Sequence, residues 1–345
     1  MNSKERVLAA INKKPLDRTP SDFRAEKPTL ERLYRYVGHR DFDRLMIDLN
    51  VDIHYVDSRS PEEKNCGSYI ENYWGERYIY YENEWGFHRN DIPGALASAT
   101  SMRQIEQFTW PTVDMMSYEA VPHLCERYEN YAIMYGFADV FTRLCNIRGF
   151  EEFLTDMYEN PEISDFMIRK ITDFYIEEYT KAFKVSGGRI NIFLIMGDLA
   201  TQIAPMIAPS MFDDFIGPHL KRMVERIHDL GAYAMYHSCG EAFHFYDQLI
   251  GCGIDILDPM QRTTENMAPE NLANLFGSRV CFHGGIDVQT TLPYGSEDEV
   301  RAEVRRYIRA FREKCGYICS SAHYMQHDTP PENIIALYDE INKSG

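Results

Sequence analysis

Long apolar runs are missing: nothing in the 345 residues approaches the roughly 18 consecutive apolar positions of a membrane span. Positive charge is scarce as well. Thirty-six Lys and Arg stand against 53 Asp and Glu, a net charge of −17. That balance argues against a nucleic-acid binder, because neutralising phosphates takes clustered basic residues. It also disfavours a polyanionic substrate. Residues 1–14 lack the apolar core and small-residue cleavage site of a secretory leader, so a cytosolic protein is expected. The eight cysteines (66, 125, 145, 239, 252, 281, 315 and 319) lie far apart. They do not form the framework of a small secreted domain, and free thiols are expected, most of them core residues. No Gly-x-Gly-x-x-Gly follows a strand-like run, so a dinucleotide fold would lack its phosphate fingerprint.

What is present is rhythm. Val7, Leu8 and Ile11 share one face of a short helix that Pro15 stops, and Leu30, Leu33 and Tyr34 mark another after Pro28. Tyr69, Tyr73, Trp74, Tyr78, Tyr80, Tyr81, Trp85 and Phe87 alternate with polar residues and with Gly75 and Gly86. This texture predicts antiparallel hairpins within about 51–110, an aromatic-rich elaboration on the main fold. Beyond Trp110-Pro111, apolar runs at 132–137, 190–196, 233–237, 254–257, 280–285 and 317–319 alternate with amphipathic stretches. Those lie near 141–158, 161–184, 209–230, 241–250, 268–276, 296–314 and 331–343, and Pro161 divides the first two. Alternating strands and helices imply a parallel sheet. Candidates at 21–23 and 51–56 bring the strands to eight, the number of a closed (β/α)8 TIM barrel. With no linker-like segment, residues 1–345 read as one domain.

Barrel active sites form at the C-terminal ends of the strands. There this chain places Gly197-Asp198-Leu199, His237-Ser238-Cys239-Gly240, Asp258-Pro259-Met260-Gln261, His283-Gly284-Gly285-Ile286-Asp287 and Cys319-Ser320-Ser321-Ala322-His323. Imidazole and thiolate are good zinc ligands, and an x-spaced pair at a strand end can aim both at one point. By itself a His-x-Cys pair is as compatible with core packing. With Asp198 and His323 at matching strand ends it becomes a candidate metal site, its third ligand either His323 or Cys319. Histidines 39, 54, 88, 123, 219, 228, 244 and 327 read as surface, loop or helix residues.

These stretches, with Glu5-Arg6-Val7-Leu8-Ala9-Ala10, Asp17-Arg18-Thr19-Pro20, Val51-Asp52-Ile53, Gly253-Ile254-Asp255-Ile256-Leu257-Asp258 and Asp328-Thr329-Pro330-Pro331-Glu332-Asn333, resemble the uroporphyrinogen decarboxylase superfamily. The likeness is closer to its branch of cobalamin-dependent methyltransferases and corrinoid O-demethylase components. The resemblance implies a (β/α)8 barrel and zinc on His237, Cys239 and a later residue falling near His323. It also implies methyl transfer between a small methylated donor or thiol acceptor and a Co-corrinoid, with Asp198 and His323 catalytic. Asp258, Gln261 and Asp287 are then expected to contact the corrinoid, a corrinoid protein is the expected partner, and a homodimer would follow the relatives. The alternative is decarboxylation of uroporphyrinogen, for which Asp52 and His323 match catalytic positions. Against it, the arginine-rich N-terminal clamp of the decarboxylases is reduced to Phe23-Arg24-Ala25-Glu26-Lys27-Pro28, and their active-site tyrosine falls at Cys145.

Overall fold

A computed structural model describes residues 1–83, 86–262, 264–312 and 315–345. Among these residues seven parallel strands form one curled sheet in sequential order. They are β1 (Ile53–Val56), β2 (Ala132–Asp139), β3 (Ile192–Met196), β4 (Tyr233–His237), β5 (Ile256–Asp258), β6 (Cys281–His283) and β7 (Gly316–Ile318). Helices follow most of them, at Phe141–Arg148, Phe150–Glu159, Pro161–Val185, Gly217–Asp229, Tyr246–Gly251, Pro269–Phe276, Glu297–Phe311 and Pro331–Asn342. All six strand runs expected beyond residue 110 are present, and Pro161 opens the longest helix as the sequence predicts.

The candidate strand at 21–23 takes a different form. Segment 20–25 makes only isolated bridges, Ser21 to Cys319 and Ala25 to Met325. Its backbone nevertheless bonds to both sheet edges. Cys319 N donates to Pro20 O at 2.8 Å and Asp22 N to Cys319 O at 3.2 Å, while Asp52 N donates to Ser21 O at 2.9 Å. It therefore stands between β7 and β1 as the eighth stave, which closes the barrel and leaves neither edge unpaired.

The period of two along each strand decides what the interior holds. Ile53, Ala132, Met134, Ile192, Leu194, Met235, Ile256, Cys281 and Ile318 point inward, where Val7, Ala10 and Ile11 of the first helix (Ser3–Ile11) pack against them. Their neighbours Ile133, Phe193, Ile195, Ala234, Tyr236, Leu257, Phe282, Tyr317 and Cys319 belong to the larger core beneath the helices. One layer further along each strand, the inward positions are Tyr55, Met196, His237, Asp258 and His283. Polar chemistry thus sits at the C-terminal end of the barrel, above an apolar plug.

The elaboration is a four-stranded antiparallel sheet, Lys64–Asn65, Ile70–Glu71, Arg77–Asn83 and Gly86–Ile92. Its aromatics serve mainly as packing. Trp74 and Tyr78 are fully buried, and Trp74 lies edge-on to Phe174 at 4.8 Å with the Arg143 guanidinium 4.9 Å from its ring. Tyr80 and Tyr81 are half exposed. Trp85 lies outside the described residues. Among the described residues no helix is long and apolar enough to cross a membrane.

Asp52, matched to a decarboxylase catalytic position, sits away from that chemistry. It immediately precedes β1, at the N-terminal end of the barrel, and its buried carboxylate accepts from Arg6 at 2.7 Å, from Arg18 at 2.7 Å and from Ser21 N at 2.9 Å. It pins the eighth stave to β1. Asp52→Asn should therefore lower unfolding stability by about 3 kcal/mol, because it uncouples two arginines from a buried partner. Denaturant titration checks this; a variant as stable as wild type would contradict this placement.

Candidate functional site

At the C-terminal end of β4 the chain turns sharply after His237. Gly240 has φ +78°, and a side chain there would collide with the Thr201 carbonyl, so this return requires glycine. The turn carries Cys239 toward Asp198, which follows β3. Asp198 Oδ1 accepts from the Cys239 backbone N–H at 3.0 Å. One ligand atom each from Asp198, His237 and Cys239 falls within 4.8 Å of the other two. Carboxylate, imidazole and thiol at this spacing suit zinc, which takes O, N and S donors and in catalytic sites keeps a fourth position open. The donor set fits the metal that the sequence resemblance implies.

Behind His237 stands Asp258. His237 Nδ1 donates to its Oδ2 at 2.5 Å, which leaves Nε2 free as a ligand. Arg24 grips the same carboxylate with both terminal nitrogens, at 2.9 and 2.6 Å, and His283 Nδ1 meets its Oδ1 at 2.7 Å. Burial opposes the charged form of Asp258, but Arg24, His283 and His237 outweigh it and hold its pKa well below the usual carboxylate range. A carboxylate backing a ligand imidazole fixes its tautomer and raises its basicity.

His323 lies beside the three-residue cluster rather than in it. Its ring stands edge-on to His237, centroids 5.9 Å apart, and the clustered third ligand atom comes from Asp198 instead. Burial, with His237 and Arg24 nearby, lowers the His323 pKa, so its imidazole is neutral at pH 7. Cys319 is excluded by strand parity. Its thiol lies outside the barrel, in the core with Tyr317, and burial pushes its pKa up to about 12. The three residues expected to contact a corrinoid have their acceptors engaged within the chain. Asp258 is engaged as described; Gln261 Oε1 accepts from Gly240 N at 2.7 Å and braces the turn bearing Cys239. Asp287 accepts from Gln289 N at 2.8 Å and Thr290 N at 3.1 Å, closing a turn.

Sequence reasoning passed over Asp22 and Tyr55 and gave His283 no role. Asp22 lies in a stave too short to show a strand pattern. Tyr55 and His283 were legible through their inward parity with His237, a signal that appears once the strand register is known.

A family model described as uroporphyrinogen decarboxylase (URO-D) matches residues 84–344. The chain belongs to the uroporphyrinogen decarboxylase family. Among curated relatives, the uroporphyrinogen decarboxylase of Anaeromyxobacter dehalogenans is 24% identical over 199 residues, 57% of this chain and 53% of that protein. The Geotalea uraniireducens protein of the same name is 21% identical over 253 residues, 70% of each chain. The chain spans about half the length of the first curated relatives it matches. A solved structure of a methyltransferase from Methanosarcina mazei superposes with a TM-score of 0.71 over 99% of both chains at 15% identity, so the whole barrel with its elaboration is a shared fold.

Burial and the Asp198 charge push the Cys239 thiol up to about 12, so it is protonated at neutral pH. Zinc binding there would have to displace that proton. Affinity should rise by about tenfold per pH unit between about pH 7 and 9, with about one proton released per metal. Chelator competition at several pH values checks this, and an affinity flat with pH would contradict thiolate ligation.

Proposed function

We propose that the protein is a methyltransferase that moves a methyl group between a small methylated molecule or thiol and a Co-corrinoid, using zinc held by Asp198, His237 and Cys239. The observation that carries this reading is the cluster of three unlike ligand atoms within 4.8 Å, backed by Asp258, at the catalytic end of a barrel. Bound there, zinc supplies a Lewis acid for an ether oxygen or a thiol sulfur. The chain supplies the rest. Asp198 and Cys239 bring negative charge that offsets the cation, and their backbone link at 3.0 Å sets their separation. His323, neutral and half-buried beside His237, offers one ring nitrogen to accept the proton of a thiol and another to hold a donor heteroatom. Phe137 near the end of β2, and Ile203 and Tyr324 on the segments following β3 and β7, are exposed, and give a corrinoid protein an apolar rim to dock on.

The names of the curated relatives favour decarboxylation instead, but the residues here suit it poorly. Both terminal nitrogens of Arg24, the remnant of the carboxylate clamp, are taken by Asp258. Asp52 serves the opposite end of the barrel. Cys145 replaces the tyrosine, and beside the site stands Asp139, whose pKa burial and Asp198 raise to about 6. A molecule bearing many carboxylates would meet more negative than free positive charge. An aromatic methyl ether is the first donor to try, and a cytosolic setting agrees with eight free thiols.

The test is loss of cob(I)alamin absorbance on mixing zinc-loaded protein, cob(I)alamin and a panel of methyl ethers and methylated thiols. Turnover should fall by about 100-fold or more on Cys239→Ser, since a hydroxyl is a poor substitute for a zinc-bound thiolate. Conversion of uroporphyrinogen to coproporphyrinogen by the pure protein, unaffected by Cys239→Ser, would replace this reading with the decarboxylase one.

A further inference from the structure

A hydrogen-bonded chain of side chains leads away from His237 and never returns to the ligand cluster. It runs from His237 Nδ1 to Asp258 Oδ2 at 2.5 Å, and from Asp258 Oδ1 to His283 Nδ1 at 2.7 Å. It continues from His283 Nε2 to Asp22 Oδ2 at 3.1 Å and ends where the Tyr55 hydroxyl donates to Asp22 Oδ2 at 2.6 Å. Five staves contribute one member each: β4, β5, β6, segment 20–25 and β1. All members but the half-buried Tyr55 are buried, as is Arg24, which joins the chain at Asp258.

The geometry sets the proton positions. Each ring nitrogen of His283 faces a carboxylate oxygen, and a bare nitrogen lone pair there would repel it. Arg24 Nη2 lies 3.2 Å from His283 Nδ1, but the Asp258 oxygen is closer at 2.7 Å, so both groups are donors converging on that oxygen. His283 is therefore an imidazolium. Two positive groups, Arg24 and His283, then balance two buried carboxylates, Asp22 and Asp258. That balance matters beyond stability. A charged Asp258 opposite Nδ1 requires the hydrogen there, and only that tautomer of His237 leaves Nε2 to bind metal.

We propose that Arg24, His283 and Asp22 are positioning residues for the metal site. Through Asp258 they hold His237 in the tautomer that presents Nε2, and they tie that tautomer to the closure of the barrel by segment 20–25. The link to closure follows from where Arg24 and Asp22 sit. The stave that bonds to β7 and β1 is the one that delivers Arg24 to Asp258. Coupling is reciprocal, so metal binding must in turn tighten this stave. The proposal rests on the metal reading above, but its first readout needs no metal.

The test uses the full chain with 15N-labelled histidine. In metal-free wild type the neutral His237 ring should carry its hydrogen on Nδ1; in His283→Gln the neutral ring should become a mixture of the two tautomers. Zinc affinity, read by chelator competition, should fall by about 10- to 100-fold in His283→Gln. Zinc should also slow hydrogen exchange of the Asp22 amide in wild type. A folded His283→Gln protein with the wild-type tautomer and zinc affinity within about twofold of wild type overturns the proposal. Should that variant fail to fold, Tyr55→Phe keeps every charge and removes only the outer hydrogen bond. It should shift tautomer and affinity in the same direction by less, and no shift in either overturns the proposal. Absence of zinc binding by wild type would instead remove the metal reading, while the tautomer result would still decide the positioning role.

Discussion

Asp258 is buried at the C-terminal end of its strand with a guanidinium on one side and imidazoles on two others. A carboxylate in that position is expensive to desolvate, and it persists as an anion because Arg24 and His283 supply opposing charge at hydrogen-bond distance. The rest of the site follows from it. The anion orients His237, His237 and the glycine turn place Cys239, and Cys239 engages Asp198. The barrel itself depends on the same contact, since Arg24 belongs to the stave that closes it. In this protein fold closure and ligand orientation share one electrostatic knot.

Parity explains how one fold carries both an apolar plug and a polar site. Each strand alternates inward and outward residues, and on β1, β4, β5 and β6 the inward ones change from Ile, Met and Cys to Tyr, His and Asp within two positions. The lower layer provides hydrophobic burial against the first helix, and the upper layer provides chemistry. Asp52, immediately before the plug begins on β1, shows the reverse at the other end. There a buried carboxylate with two arginines does structural work.

Much of this was legible in the residues. Apolar runs separated by amphipathic stretches gave six strands, and the strand ends pointed to Asp198, His237 and Cys239 before any contact was known. Segment 20–25 was only partly legible, because a stave held by isolated bridges needs no alternating run of its own. Asp198 read as a catalytic residue rather than a ligand, and the choice of third ligand between His323 and Cys319 was not legible at all. It turns on whether a residue beyond a strand end faces the mouth or the helices, and on how the intervening loop folds back. For the same reason the bracing roles of Asp258 and Gln261 were not legible: the sequence shows a polar residue at a strand end but not the partners its acceptors meet.

Asp198, His237 and Cys239 are proposed to form one metal site braced by Asp258. Diffraction from crystals grown with zinc, collected on both sides of the zinc absorption edge, tests it directly. One strong anomalous peak is expected within bonding distance of His237 Nε2, Cys239 Sγ and an Asp198 carboxylate oxygen, with Asp258 still on His237 Nδ1. A peak coordinated by Cys319, one bound through His237 Nδ1, or no ordered zinc at the barrel mouth would contradict it.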